Sequence, residues 1–90
     1  MKLFFYALKD RQLGVFDKPI VIDKAKDDML EGYRRLIVSD PSKCFQLKPA
    51  TLFYYGYFDD MTGKFEMLKD PEYLGDLGDF FPVKEDKKDA

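Results

Sequence analysis

Along residues 2–8 the side chains alternate, with Lys2, Phe4, Tyr6 and Leu8 on one face and Leu3, Phe5 and Ala7 on the other. Both sets are mostly apolar, which predicts a central or interface strand. Lys9-Asp10-Arg11-Gln12 is a polar turn, and Leu13-Gly14-Val15-Phe16 reads as a short returning strand, so the pair predicts a hairpin. Asp17-Lys18-Pro19 interrupts it, because Pro19 has no N–H for the ladder. Pro19-Ile20-Val21-Ile22 then runs extended into the next element.

From Asp23 the rhythm changes. Ala25, Met29, Tyr33 and Ile37 recur every four residues, joined by Leu30 and Leu36, and predict a helix over 24–39 with one apolar stripe. Asp23 is the expected N-cap, and Asp27 and Asp28 suit the positive end of the helix dipole. Arg34 and Arg35 fall in the last turns, and Pro41 disfavours helical geometry at Asp40.

After a basic loop containing Cys44 and Phe45, the strongest strand signal is Thr51-Leu52-Phe53-Tyr54-Tyr55-Gly56-Tyr57-Phe58. Strict alternation groups Leu52, Tyr54, Gly56 and Phe58 against Phe53, Tyr55 and Tyr57. A bulge at Gly56 instead places Phe53, Tyr55 and Phe58 inward and Tyr54 and Tyr57 outward. Asp59 to Lys64 predicts a hairpin turn, with Gly63 in the left-handed region and Asp60 bonding the turn backbone. Phe65-Glu66-Met67-Leu68 returns. Residues 70–81 read as loop, with a short strand at Asp79-Phe80-Phe81, and 82–90 as a charged, disordered tail. The pattern therefore predicts one α+β domain over 1–81, ordered ββαββ, with an antiparallel sheet and one helix packed on one face. A helix covers only one side of so aromatic a sheet, so a homodimer or a ligand is expected on the other.

Composition changes this picture in three places. Nine Phe and six Tyr among 90 residues reinforce the β reading. With Cys44 alone, neither an internal disulfide nor a zinc cluster can form, which favours a reducing compartment. The N-terminal apolar run is closed by Lys9-Asp10-Arg11 without a cleavage site, and no stretch approaches the ~20 apolar residues of a membrane span. A membrane partner is not expected.

Chemistry is mostly excluded. Without histidine there is no usual neutral-pH base, no catalytic triad and no histidine-ligated metal. Asp59-Asp60 lacks the spacing of a calcium loop, and no phosphate-cradling glycine loop is present. Cys44 reads as a small buried apolar residue. We therefore expect no enzyme, no cofactor and no metal. The net charge of −2 argues against general polyanion coating. It is unevenly placed, however: residues 32–50 carry Arg34, Arg35, Lys43 and Lys48 against Asp40 alone, whereas 70–79 carry four acids and no base. Outward Tyr54 and Tyr57 would offer rings to unpaired bases, with Arg34, Arg35, Lys43 and Lys48 for phosphates. Core packing or a dimer interface is the other reading of those tyrosines, and solvated helix-end charge that of the arginines.

The segment from Thr51 to Phe65 resembles a known family, the small nonstructural protein of gokushoviruses, tailless single-stranded DNA phages of the microvirus group. That family reads as an apolar strand ending in Gly-x-Phe-Asp-Asp, then x-x-Gly-x-Phe, then a Pro and a Leu-Gly. These are met by Gly56-Tyr57-Phe58-Asp59-Asp60, Gly63-Lys64-Phe65, Pro71 and Leu74-Gly75. Phe16-Asp17-Lys18-Pro19 and Val38-Ser39-Asp40-Pro41-Ser42 are similar to its upstream segments. The family often has acidic side chains at the positions of Tyr54 and Tyr57. The resemblance implies a protein of the host bacterial cytoplasm, outside the virion, that binds single-stranded DNA or assists its replication. It supplies no catalytic residues. The alternative function is a homodimeric protein-interaction module acting on a host or phage protein.

Overall fold

Strand β1 (Lys2–Asp10) lies inside the sheet, as its two apolar faces require. In the computed structural model, which describes residues 1–82, it has partners along both edges. On one edge it pairs antiparallel with β4 (Ala50–Asp59), from Lys2 opposite Asp59 to Asp10 opposite Ala50. The other edge is shared by β2 (Val15–Phe16), beside Lys9 and Asp10, and β3 (Ile20–Ile22), beside Phe4 to Tyr6. Outside β4 runs β5 (Lys64–Asp76), also antiparallel. Helix α1 (Lys26–Ser39) and a 3-10 segment (Pro41–Leu47) connect β3 to β4, and a short 3-10 turn (Leu77–Phe80) follows β5.

The class is α+β with an antiparallel sheet, but three strands, not two, precede the helix. Pro19 removes a single ladder donor, and the next three residues find the free edge of β1, with Ile20 opposite Tyr6 and Ile22 opposite Phe4. The helix starts two residues later than expected. Ala25 is its N-cap and offers no side-chain bond, while Asp23 stays exposed. At the other end the helix stops at Ser39 as expected, but Arg34 and Arg35 lie before its last turn rather than in it.

Residues 70–76 belong to β5, and Asp79 and Phe80 to the closing turn, so the expected loop and terminal strand are both corrected. An edge strand tolerates Asp70-Pro71 because its outer N–H groups need no partner. The extra residues bulge out, since Gly56 pairs with Met67 and Tyr54 with Glu72. Gly75 reads as a loop signal yet answers to packing: a Cβ there would lie 3.4 Å from Leu30 Cδ1.

Both hairpin loops follow one local rule, Asp-x-x-x-Gly. Gly14 and Gly63 share φ 72°, and each donates its N–H to the carbonyl of the leading aspartate at 2.7 Å. The carboxylate of Asp10 accepts from Gln12 and Leu13, and that of Asp59 accepts from Met61. The turn-bonding aspartate is thus Asp59. Asp60 instead meets the N-terminal ammonium at 2.7 Å.

The core lies between one sheet face and the helical segments. Tyr6, Ile37, Leu52 and Leu77 are fully buried, with Met29, Cys44, Tyr54 and Phe81 around them. The Tyr6 hydroxyl donates to the Lys24 carbonyl at 2.6 Å, which satisfies a buried phenol and ties β1 to the approach of the helix. Leu36 leaves the expected stripe and is exposed. The tail expected over 82–90 lies, from residue 83 onward, outside the described residues.

Candidate interaction face

The bulge in β4 decides which rings share a side. Tyr54 opposes Tyr6 and Gly56 opposes Phe5, so Tyr55 is the unpaired residue and the alternation changes phase there. Phe53, Tyr55 and Phe58 therefore share one face, and Tyr54 and Tyr57 the other. Gly56 permits the kink: its φ is 134°, and a Cβ would fall 2.4 Å from the Glu66 carbonyl oxygen.

The grouping matches the bulged reading, but the sides are reversed. The helix lies over Tyr54, which is only 7% exposed and packs on Tyr6 with ring centroids 5.5 Å apart. Tyr57 is half-buried, against Phe4 at 5.9 Å, with Lys2 Nζ 4.5 Å from its ring centroid. The cause is connectivity. Ile20 and Ile22 face the same side as Tyr6 and Tyr54, and the chain enters the helix from there, so Met29 and Ile37 settle on that side.

The other expected contacts do not complete a phosphate track. Arg34 and Arg35 both clasp Glu31, with Arg34 Nε donating to Oε1 at 2.8 Å and Arg35 Nε to Oε2 at 3.0 Å. Those bonds hold the Glu31 carboxyl down at about 2. Lys43 is exposed, 3.9 Å from Asp40, and Lys48 lies over the Phe45 ring. Tyr54 is sealed, the arginines are engaged with Glu31, and the two lysines stand at the 3-10 segment. The six residues form no single stacking surface.

What the fold assembles instead is the uncovered sheet face. Phe5, Phe58 and Phe65 cluster at one end, with Phe58 and Phe65 centroids 4.7 Å apart. Phe16, Phe53 and Tyr73 form a second group, at 5.4 and 6.1 Å, with Tyr55 beside Phe16 at 6.4 Å. Between them a depression of about 260 Å³ is lined by Phe5, Ala7, Phe16, Pro19, Tyr55 and Met67. The rings are not self-sheltered: Phe65 is 61% and Tyr73 57% exposed. Along β1 and β4, Lys9 is the only charged residue on this side, and its Nζ stands 5.4 Å from the Phe16 centroid.

At one end of the sheet, Arg11 is a structural knot. Its guanidinium donates to the carbonyls of Ala50 and Lys48 and to the Thr51 hydroxyl, and lies 3.2 Å from Asp76. Thr51 in turn donates to Asp76 at 2.6 Å. The adjoining open depression exposes Phe45, 66% accessible, beside Gln12, Gln46 and Lys48.

Cys44 is buried, its thiol directed at the Leu36 carbonyl. Among the described residues no group of acidic or cysteine side chains is placed to hold a metal ion, and no helix is long and apolar enough to cross a membrane. No known protein family, curated protein or solved structure matches the chain.

Proposed function

We propose that this protein is a protein-interaction module without covalent chemistry of its own, and that its working surface is the uncovered aromatic face of the sheet. The carrying observation is that three ring pairs and Met67 lie open on the side that no helix covers. Contiguous apolar patches of this kind on small domains mark sites of association. Nucleic acid suits the face poorly. Single-strand binders join their rings to a basic groove, whereas on this face the two central strands carry Lys9 as their one cation.

The link to single-stranded DNA phages belongs to the same proposal. Phe58 and Phe65, the two phenylalanines of the resembling motif, pack against each other on this face, and Gly56 and Gly63 set the bulge and turn that place them there. A nonstructural role in the host cytoplasm, exerted through a protein partner, accords with that placement.

A photoreactive amino acid at position 73, on the open face, is expected to trap a nuclease-resistant protein adduct in producing cells. The same group at position 38, on the exposed side of the helix, should trap none. Absence of any adduct from position 73 sinks the reading. Single-strand DNA binding is the second reading, favoured by the exposed Phe45 ring beside Lys48. Saturable, salt-sensitive binding of an oligothymidylate, lost in both Phe45→Ala and Lys48→Ala, would put that reading in first place.

A further inference from the structure

We infer that the occupant of the open face is a second copy of this chain, packed sheet to sheet about a two-fold axis. This deepens the interaction reading and rests on it.

Three observations favour the second copy over a charged or extended partner. The first is area. Eight residues of each of β1, β4 and β5, with the short β2 and β3 beside them, give a footprint of roughly 450 Å² at about 3.3 Å per residue and about 4.8 Å between strands. Protruding rings raise the accessible area towards the ~800 Å² per partner of a standard stable interface. The second is charge. A two-fold contact sets a patch against itself, so the patch must not repel its own copy. This one is nearly neutral: Lys9 lies over Phe16 with Asp17 beside it, and at the end of the sheet Asp76, next to Tyr73, is paired with Arg11. The third is that the other route to self-association is blocked. β5 is the long free edge, yet Pro71 interrupts it and residues 68–71 bulge out of register, so edge-to-edge pairing cannot extend along it. Exposed Phe65 and Tyr73, on the same strand, turn their rings to the face instead. The result is a β-sandwich whose second sheet comes from the second copy, with the helices outside.

Sedimentation equilibrium of the full chain, from about 1 to 200 µM, tests this at the ~800 Å² scale of interface. The expected mass is twice the chain's 10.6 kDa. Phe65→Lys and Tyr73→Lys should each shift the dissociation constant at least tenfold, and the double variant should be monomeric with an unchanged far-ultraviolet circular dichroism spectrum. Val38→Lys, on the helix, should remain dimeric. A wild-type monomer over the whole range overturns the inference, and so does a dimer indifferent to both face substitutions. A monomer that still yields the position-73 adduct with a different protein removes the second copy but leaves the interaction face standing. A monomer without that adduct removes both.

Discussion

Gly56 and Gly63 both hold positive φ, at 134° and 72°, yet the fold constrains them differently. At Gly63 a Cβ would meet nothing within 4 Å, so Gly63→Ala should cost only the left-handed backbone term, about 1 kcal/mol. At Gly56 the same methyl would lie 2.4 Å from the Glu66 carbonyl and 2.6 Å from Met67 Cα. Strain and overpacking add, and Gly56→Ala should lose about 2–4 kcal/mol. Urea unfolding midpoints separate the two; equal losses would mean that β4 and β5 do not approach as described. The turn role of Gly63 was legible from Asp-x-x-x-Gly alone. The severity at Gly56 was not, because the atoms that crowd it are ten residues away on another strand.

At the scale of elements, the helix is the least optimised piece. Its N-cap, Ala25, has the extended backbone of a capping residue at φ −70° and ψ 169° but no oxygen to offer the first turn. Ala25→Ser should therefore stabilise the protein by about 0.5–1 kcal/mol. For a domain of this size that raises the thermal midpoint by about 3–6 °C. An unchanged midpoint would place the helix start elsewhere. Asp23 looked like the cap because the apolar period extends back to Ala25, and periodicity cannot tell a capping residue from the first helical one. The same limit explains residues 70–76. Pro, Gly and acidic residues speak against a strand, but an edge strand carries no ladder on its outer side and admits them. Strands β1 and β4 were readable because their apolar runs are long and alternating, and the Asp-Gly loops that end them are local.

For the whole molecule, two buried phenols and one half-buried phenol tie stability to pH. Burial raises the Tyr6, Tyr33 and Tyr54 hydroxyls above their ordinary value, most strongly at Tyr6, with the neighbouring Tyr54 and Asp28 adding to it. Their folded values exceed the unfolded ones, so the neutral phenols favour the native state. That contribution is complete below about pH 10 and is lost as pH climbs towards the folded values. Urea midpoints should fall steadily above pH 10, and Tyr6→Phe should flatten the decline. A midpoint insensitive to pH between 9 and 11.5 would argue against the buried phenols. Glu31 behaves oppositely: its carboxyl is held low by Arg34 and Arg35, so whatever it contributes is present above its ordinary value and fades as pH falls towards 2. Being exposed, it weighs little.

The α+β class, the two hairpins, the turn role of Gly63, the apolar stripe of Met29, Tyr33 and Ile37 and the absence of histidine could be read from the chain alone, whereas Gly14 reads as part of a strand and proves to lie in the turn. Each feature so read depends on residues within a turn or two of one another. The chain also grouped Phe53, Tyr55 and Phe58 apart from Tyr54 and Tyr57 once the bulge at Gly56 was allowed. Which group faced solvent was decided only by tertiary structure. Both faces of the sheet are aromatic, so no local energy distinguishes them. The choice fell to where β3 hands the chain to the helix, and that path buried Tyr54 and left Phe16, Phe65 and Tyr73 in the open.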